Sequence, residues 1–280
     1  MNHTELLFQC LSIASTAALC GFVLIRRTHK ILPYFSSYAV VLLLSGIATG
    51  YVYCHFGFRS TTSYDVYWTS SLLNVIVRSF AIAELCRYGL SAYRGIWALI
   101  CGILTFLALV FLAHAAWDAW GQPNRLAIYG LTLQRDLDLA SVTILAVLLL
   151  LRRYYGIELD SLQRAIAVGI FFFCTVDLVN NSILRNLYAG YLFFWFSTSY
   201  KSFWPALRPQ IDSLNDVYGM ISIFSSMIAI GIWCFALRKP LPEPSKAPVL
   251  LPVEVYQELS PMVNLRLRAF NDRLVEMLRP

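Results

Sequence analysis

Seven runs of about 20 or more mostly apolar residues recur along the 280-residue chain, and a helix of that length crosses a bilayer core of about 30 Å. Hydrophobic residues make up 58% of the chain and charged residues 14%, a balance that differs from that of soluble domains. The sequence therefore predicts an all-α polytopic membrane protein with a bundle of seven transmembrane helices. The predicted spans are 6–25, 34–54, 67–90, 96–117, 133–151, 165–187 and 214–237.

Lysine and arginine residues predict the orientation of the bundle. Alternate connections carry basic residues close to the helix ends, whereas the opposite connections carry fewer and more scattered ones, and cytoplasmic loops are the basic ones. The sequence predicts an N-terminus outside and a C-terminus in the cytoplasm, in a multi-pass protein of the inner (cytoplasmic) membrane. The densely basic set comprises Arg26, Arg27, Lys30, Arg87, Arg94, Arg152, Arg153, Arg164, Arg238 and Lys239.

The third run carries an arginine at its centre. On a helix, Tyr67, Ser71, Asn74 and Arg78 are spaced i, i+4, i+7 and i+11 and form one polar stripe. An arginine facing lipid costs several kcal/mol. Arg78 is therefore predicted to face other helices, which must supply it with a partner.

Depth along the helices indicates which partner this is. Arg78 lies about 15 Å from the inner end of the third run, and Asp177 lies roughly 20 Å from the inner end of the sixth. We expect a buried ion pair between Arg78 and Asp177, flanked by Asn74 and Asn181. Such a network either locks the helices together or forms a site for a polar or anionic ligand or a proton relay.

A second polar group is predicted near the outer surface. Asp65, His114, Asp118 and Asp138 all fall toward the outer ends of their runs. These side chains are of metal-binding type, but one histidine within the spans does not make a three-ligand catalytic site. The seven cysteines contain no C-x-x-C pair and are interpreted as small buried apolar residues. No metal and no cofactor are therefore expected.

Aromatic residues crowd the segment 187–211 between the sixth and seventh runs, which is predicted to be an outer loop. It includes Trp195, Phe196 and Trp204. Tryptophan and tyrosine favour the headgroup layer, so one interpretation is an interfacial helix. The other is a lid over an outward cavity or a docking surface for another membrane protein.

The sequence divides into three parts. Residues 1–239 form the predicted transmembrane domain, 240–252 a proline-rich tether, and 253–280 a cytoplasmic amphipathic tail. In the tail, Phe270 and Leu274 fall near one side of a helix. This side is expected to meet the inner leaflet, helix ends or a partner protein.

The order of these features resembles a group of uncharacterised bacterial seven-helix membrane proteins of the kind found in acidobacterial genomes. The resemblance implies the same seven-helix fold but transfers no activity, since the group has none established, and the 187–211 segment is longer than the group suggests. The features that carry it are the basic loop 26–30, PYFSSYAVVLLL at 33–44, YWTSSLLNVIVRSFAIAELCRYG at 67–89 and LQRDLDL at 133–139.

These patterns favour a non-enzymatic membrane protein that acts through protein partners, as a subunit of a complex or as a sensor. The alternative is a transporter or small-ligand binder that uses Arg78 and Asp177. An enzyme is the least favoured class because no nucleophile–base pair or metal-binding set occurs. The net charge is +6, but the basic residues lie beside helix ends, so they do not indicate nucleic-acid binding. The expected partners are the bilayer and other membrane proteins or further copies of the chain.

Overall fold

The computed structural model describes residues 3–57, 60–90, 94–121, 125–155, 159–196 and 204–238, together with the single positions 269, 273 and 276. The predicted tether and the interface residues Phe270 and Leu274 lie outside the described residues. A short 3-10 turn, Thr28–Lys30, joins the first two helices. The α-helices are α1 His3–Ile25, α2 Pro33–Phe56, α3 Thr61–Gly89, α4 Arg94–Asp118, α5 Arg125–Tyr155, α6 Ser161–Phe196 and α7 Trp204–Arg238.

Six of these helices are long and apolar enough to cross a membrane. The exception is α5, which has 31 residues but carries Arg135, Asp136 and Asp138 in its first half. The described part of the chain is thus all-helical, with the length and composition of a multi-pass membrane protein, and the prediction is confirmed to that extent.

Three helix boundaries differ most from the sequence prediction. Helix α5 begins at Arg125 rather than near 133, α6 continues to Phe196, and α7 already begins at Trp204. Most of the predicted outer loop 187–211 is therefore helical. No proline interrupts 187–196, so helix α6 continues beyond the predicted span. The side chains of Trp195, Phe196 and Trp204 lie outside the described residues.

Six helices form a closed ring. Each of α1, α2, α3, α5, α6 and α7 packs against the next in that order, and α7 packs against α1. Helix α4 lies outside the ring, against α5. Between Trp97 and Asp118, Ala115 is its only buried residue. The chain therefore leaves the ring after α3 and returns to it with α5.

The apolar core fills one end of the ring. Trp233 of α7 is its largest fully buried side chain, and the Trp233 ring meets Phe35 edge-on at a centroid distance of 5.4 Å. The indole Nε1 donates a hydrogen bond to the Ile166 carbonyl oxygen at 3.3 Å. Other fully buried members of this core are Leu19, Leu32, Leu85, Leu145, Ile166, Ile170 and Leu237.

A carboxylate from α3 holds the start of α2. Glu84 is buried, and its two oxygens accept hydrogen bonds from the backbone N–H groups of Tyr34 (3.3 Å) and Phe35 (3.0 Å). A negative charge at a helix N-terminus is stabilising. One turn later, the Tyr88 hydroxyl donates to the Ile31 carbonyl oxygen. These bonds fix the register of α2 against α3.

Gly169 of α6 allows the Trp233 indole to approach the α6 backbone. A Cβ at this position would lie 2.2 Å from Trp233 Nε1, so Gly169→Ala must displace the indole and its hydrogen bond. We expect the free energy of unfolding to fall by about 1–3 kcal/mol, measured by unfolding in mixed micelles. Gly102→Ala is the matched control, because a Cβ added at Gly102 would meet no atom of another part of the chain within 4 Å. Equal stability of the two variants would contradict the prediction.

Candidate functional site

An arginine and two aspartates from three helices meet inside the ring. Arg78 of α3 is 3% exposed. Its Nη2 forms an ion pair with Asp138 Oδ1 of α5, and its Nη1 lies 3.9 Å from Asp177 Oδ2 of α6. Both aspartates are buried as well. We call Arg78, Asp138 and Asp177 the ion cluster.

The ion cluster differs from the predicted pair in one member. The expected contact between Arg78 and Asp177 is present, but Asp138 lies closer to the guanidinium. The assignment of Asp138 to an outer cluster was wrong. Because α5 begins at Arg125, Asp138 lies about 20 Å along the helix, deep in the bundle rather than at its outer end.

Neutral polar side chains hold Asp177 in place. The Gln134 side-chain amide of α5 donates to Asp177 Oδ2, and the Ser222 hydroxyl of α7 donates to Asp177 Oδ1 at 3.4 Å. The Ser71 hydroxyl of α3 in turn donates to Gln134 Oε1 at 3.0 Å. The network therefore links four helices of the ring. The sequence analysis did not select Gln134. Its position four residues before Asp138, on the same face of α5, is the sequence signal that could have identified it.

The guanidinium also has an aromatic neighbour. The Cζ atom of Arg78 lies 5.1 Å from the centroid of the Phe173 ring, a distance typical of cation–π contacts. Tyr38 of α2 and Cys174 of α6 lie near Arg78, and both are buried. Arg78 is therefore enclosed by protein and does not face lipid.

The two flanking asparagines have separate surroundings. Asn74 Oδ1 accepts a hydrogen bond from the Ser45 hydroxyl of α2 at 3.4 Å, which links α2 to α3. Asn181 is buried on α6, and its Nδ2 has no hydrogen-bond partner among the described residues. No described hydrogen bond joins Asn74 or Asn181 to Arg78. They lie on the predicted helices but outside the ion cluster.

The predicted outer cluster is divided between two contacts that attach α4 to α5. His114 Nδ1 lies 2.6 Å from Asp136 Oδ2, and the Thr132 hydroxyl donates to Asp118 Oδ2 at 2.6 Å. Asp65 is exposed. Asp136, which the sequence analysis did not select, also pairs with Arg135 Nη2 at 2.7 Å.

No group of three histidine, cysteine, aspartate or glutamate side chains in the described segments could hold a metal ion. Asp138, which the sequence analysis placed with Asp65, His114 and Asp118, pairs with Arg78 instead. Two polar pairs determine where α4 attaches to the ring.

A cavity of about 410 Å³ lies between α6 and α7, away from the ion cluster. Arg164, one of its lining residues, is about 20 Å along α6 from Asp177. No member of the ion cluster lines this cavity. The lining residues are Ser161, Arg164, Ala165, Gly231, Ile232, Phe235 and Ala236.

Comparisons with protein families, with curated proteins and with solved structures find no match to this chain. No activity and no residue role therefore comes to it from another protein.

Proposed function

We propose that this chain is a non-enzymatic integral membrane protein that acts through protein partners, as a subunit of a membrane complex or as a sensor. The closed ion cluster is the observation that carries this proposal. Solute-binding sites are concave pockets that the solute can enter, whereas Arg78 is 3% exposed and has acidic partners within the bundle. In this proposal, the buried and paired charges of the ion cluster fix how the helices assemble.

The proposed topology has seven spans, with the N-terminus outside and the C-terminus in the cytoplasm, in the inner membrane. Helix α5 is the seventh span, because its buried Asp138 pairs within the ring and its later turns are apolar. A polar residue inside a bundle is compatible with a transmembrane helix when it faces protein. The basic residues Arg152, Arg153 and Arg238 at the ends of α5 and α7 support this orientation.

Helix α4 offers a surface for membrane partners. Its apolar side chains Leu99, Ile103, Phe106 and Leu109 are exposed along one length of the helix. In a bilayer these side chains meet lipid or the helix of another protein, because α4 lies on the outside of the ring, mainly against α5. We propose α4 as the first contact surface to test.

The experiment is site-specific photocrosslinking in native membranes at native expression level. A photoreactive residue at Phe106 of α4, which is 66% exposed, is expected to give a crosslinked protein adduct that mass spectrometry identifies. Leu44 of α2, which is 59% exposed, is the matched control. Adducts formed there measure random collisions with other proteins at a different exposed apolar surface. If the chain also purifies alone from mild detergent and neither site gives a protein adduct, the proposal is wrong.

The alternative proposal is a transporter or small-ligand binder centred on Arg78 and Asp177. Two buried polar atoms support it, since Asp138 Oδ2 and Asn181 Nδ2 have no hydrogen-bond partner among the described residues and buried polar groups are normally paired. A panel of polar solutes is expected to raise the melting temperature of the wild-type protein but not of Asp177→Asn. The absence of any solute-dependent shift would contradict this alternative.

A further inference from the structure

The ion cluster contains more acid than base. Arg78 contributes one positive charge, and two ionised aspartates would contribute two negative charges, which leaves a formal charge of −1. Among the described residues the titratable or charged groups facing the cluster are Arg78 from α3, Asp138 from α5, Cys174 and Asp177 from α6 and Tyr38 from α2. No second cation is among them.

A net charge at this place is unfavourable. The side chains of Asp138 and Asp177 are 0% and 3% exposed, so water does not screen them. Buried charges are tolerated when they are paired. Two carboxylates that share one site do not both ionise when no further positive charge is present, and one of them keeps its proton.

One buried carboxylate oxygen of the ion cluster has no hydrogen-bond donor. Both oxygens of Asp177 accept hydrogen bonds, from Gln134 and Ser222, and Asp138 Oδ1 receives Arg78. Asp138 Oδ2 is buried and has no donor at bonding geometry in the described part of the chain. The Asp177 carboxylate and the Cys174 thiol are polar neighbours of the Asp138 carboxyl group. A proton on Asp138 Oδ2 would supply the donor that this pair of acids lacks.

We propose that the ion cluster is a proton-binding site in which Asp138 and Asp177 share one proton, carried on Asp138 Oδ2. With the proton shared, the two acids together carry a single negative charge opposite Arg78, and the cluster is neutral. When the proton leaves, the carboxylates of the adjacent helices α5 and α6 repel each other. The site thus couples proton occupancy to the packing of two neighbouring helices, and it does so whether or not the proposed partner-dependent function is correct.

Infrared spectroscopy of the purified protein in lipid nanodiscs tests the proton directly. A protonated carboxyl group absorbs at a frequency separate from that of a carboxylate. We expect a protonated-carboxyl band at neutral pH that disappears in Asp138→Asn and in Asp177→Asn, because the remaining acid then pairs with Arg78 as a carboxylate. Asp65→Asn is the matched control, since Asp65 is exposed on the same helix as Arg78, and it should leave the band unchanged.

Isotope-labelled aspartate assigns the band without any substitution, so the test remains decisive if a variant does not fold. A band that shifts with labelled aspartate supports the proposal. The absence of a protonated aspartate band at neutral pH overturns it. A sodium-dependent rise in the melting temperature of the wild type, absent in Asp138→Asn and without such a band, also overturns it, because a bound cation would then balance the charge.

The dependence of stability on pH gives a second readout. The folded cluster binds one proton that the unfolded chain has released at neutral pH, so the wild type should lose stability as the pH rises. Asp138→Asn keeps the pair of Arg78 and Asp177 and has no such proton to lose. We expect its melting temperature to fall less steeply from neutral to alkaline pH than that of the wild type. Identical slopes for the two proteins would overturn the proposal.

Discussion

The double variant Asp138→Asn/Asp177→Asn is expected to lose about 3–5 kcal/mol of unfolding free energy, because it leaves a buried guanidinium without a counter-charge. Arg78 is 3% exposed and has no other acidic partner among the described residues. Each single substitution keeps one carboxylate for Arg78 and should cost much less. Unfolding by increasing SDS in mixed micelles, followed by the change in helical circular dichroism, measures the difference.

A triple variant that adds Arg78→Met shows whether the double variant loses stability because of its unpaired buried charge or because of altered packing. With the guanidinium gone, no charge remains in the ion cluster, and replacing a buried ionic group by apolar residues of similar volume is often neutral. We therefore expect the triple variant to be more stable than the double variant. If the double variant is as stable as the wild type, the ion cluster does not hold the bundle together.

Trp233→Ala is expected to cost about 3–5 kcal/mol, the range for truncating a large aromatic side chain in a packed core. The indole is 1% exposed, meets the rings of Phe35 and Tyr38 edge-on and donates to the Ile166 carbonyl oxygen. Its removal would leave a cavity between α2, α6 and α7. The same SDS titration measures the loss.

Phe235→Ala is the control for this truncation. Phe235 also lies on α7 but is 65% exposed, so its removal takes away few contacts inside the bundle. We expect a change well below that of Trp233→Ala. Equal losses in the two variants would mean that the Trp233 core does not contribute specifically to stability.

The helical class and the burial of Arg78 could be predicted from the sequence, because both follow from the bilayer as a solvent. Long apolar runs must form helices there, and a charge at their centre must face protein. The same depth estimate found Asp177, since the rise of a helix is constant. These inferences need no knowledge of which helices are neighbours.

The choice between acidic partners could not be predicted, because it depends on the start of α5. The apolar pattern begins near 133, whereas the helix already begins at Arg125, which moves Asp138 from the predicted outer end to the level of Arg78. The contacts of Gln134, Ser222 and Glu84 depend in turn on how the helices are rotated in the ring. The apolar pattern of a span predicts the length of the helix but not how the helix is rotated about its own axis.

The arrangement of the ring has a consequence for biosynthesis. Arg78 leaves the ribosome 60 residues before Asp138, and Asp177 follows later still. Helix α3 therefore enters the membrane before either acid exists, while α2 is already there to offer Ser45 to Asn74 and its own N-terminus to Glu84. We therefore expect the hairpin of α2 and α3 to form first, and Arg78 to be enclosed only when α5 and α6 complete the ring.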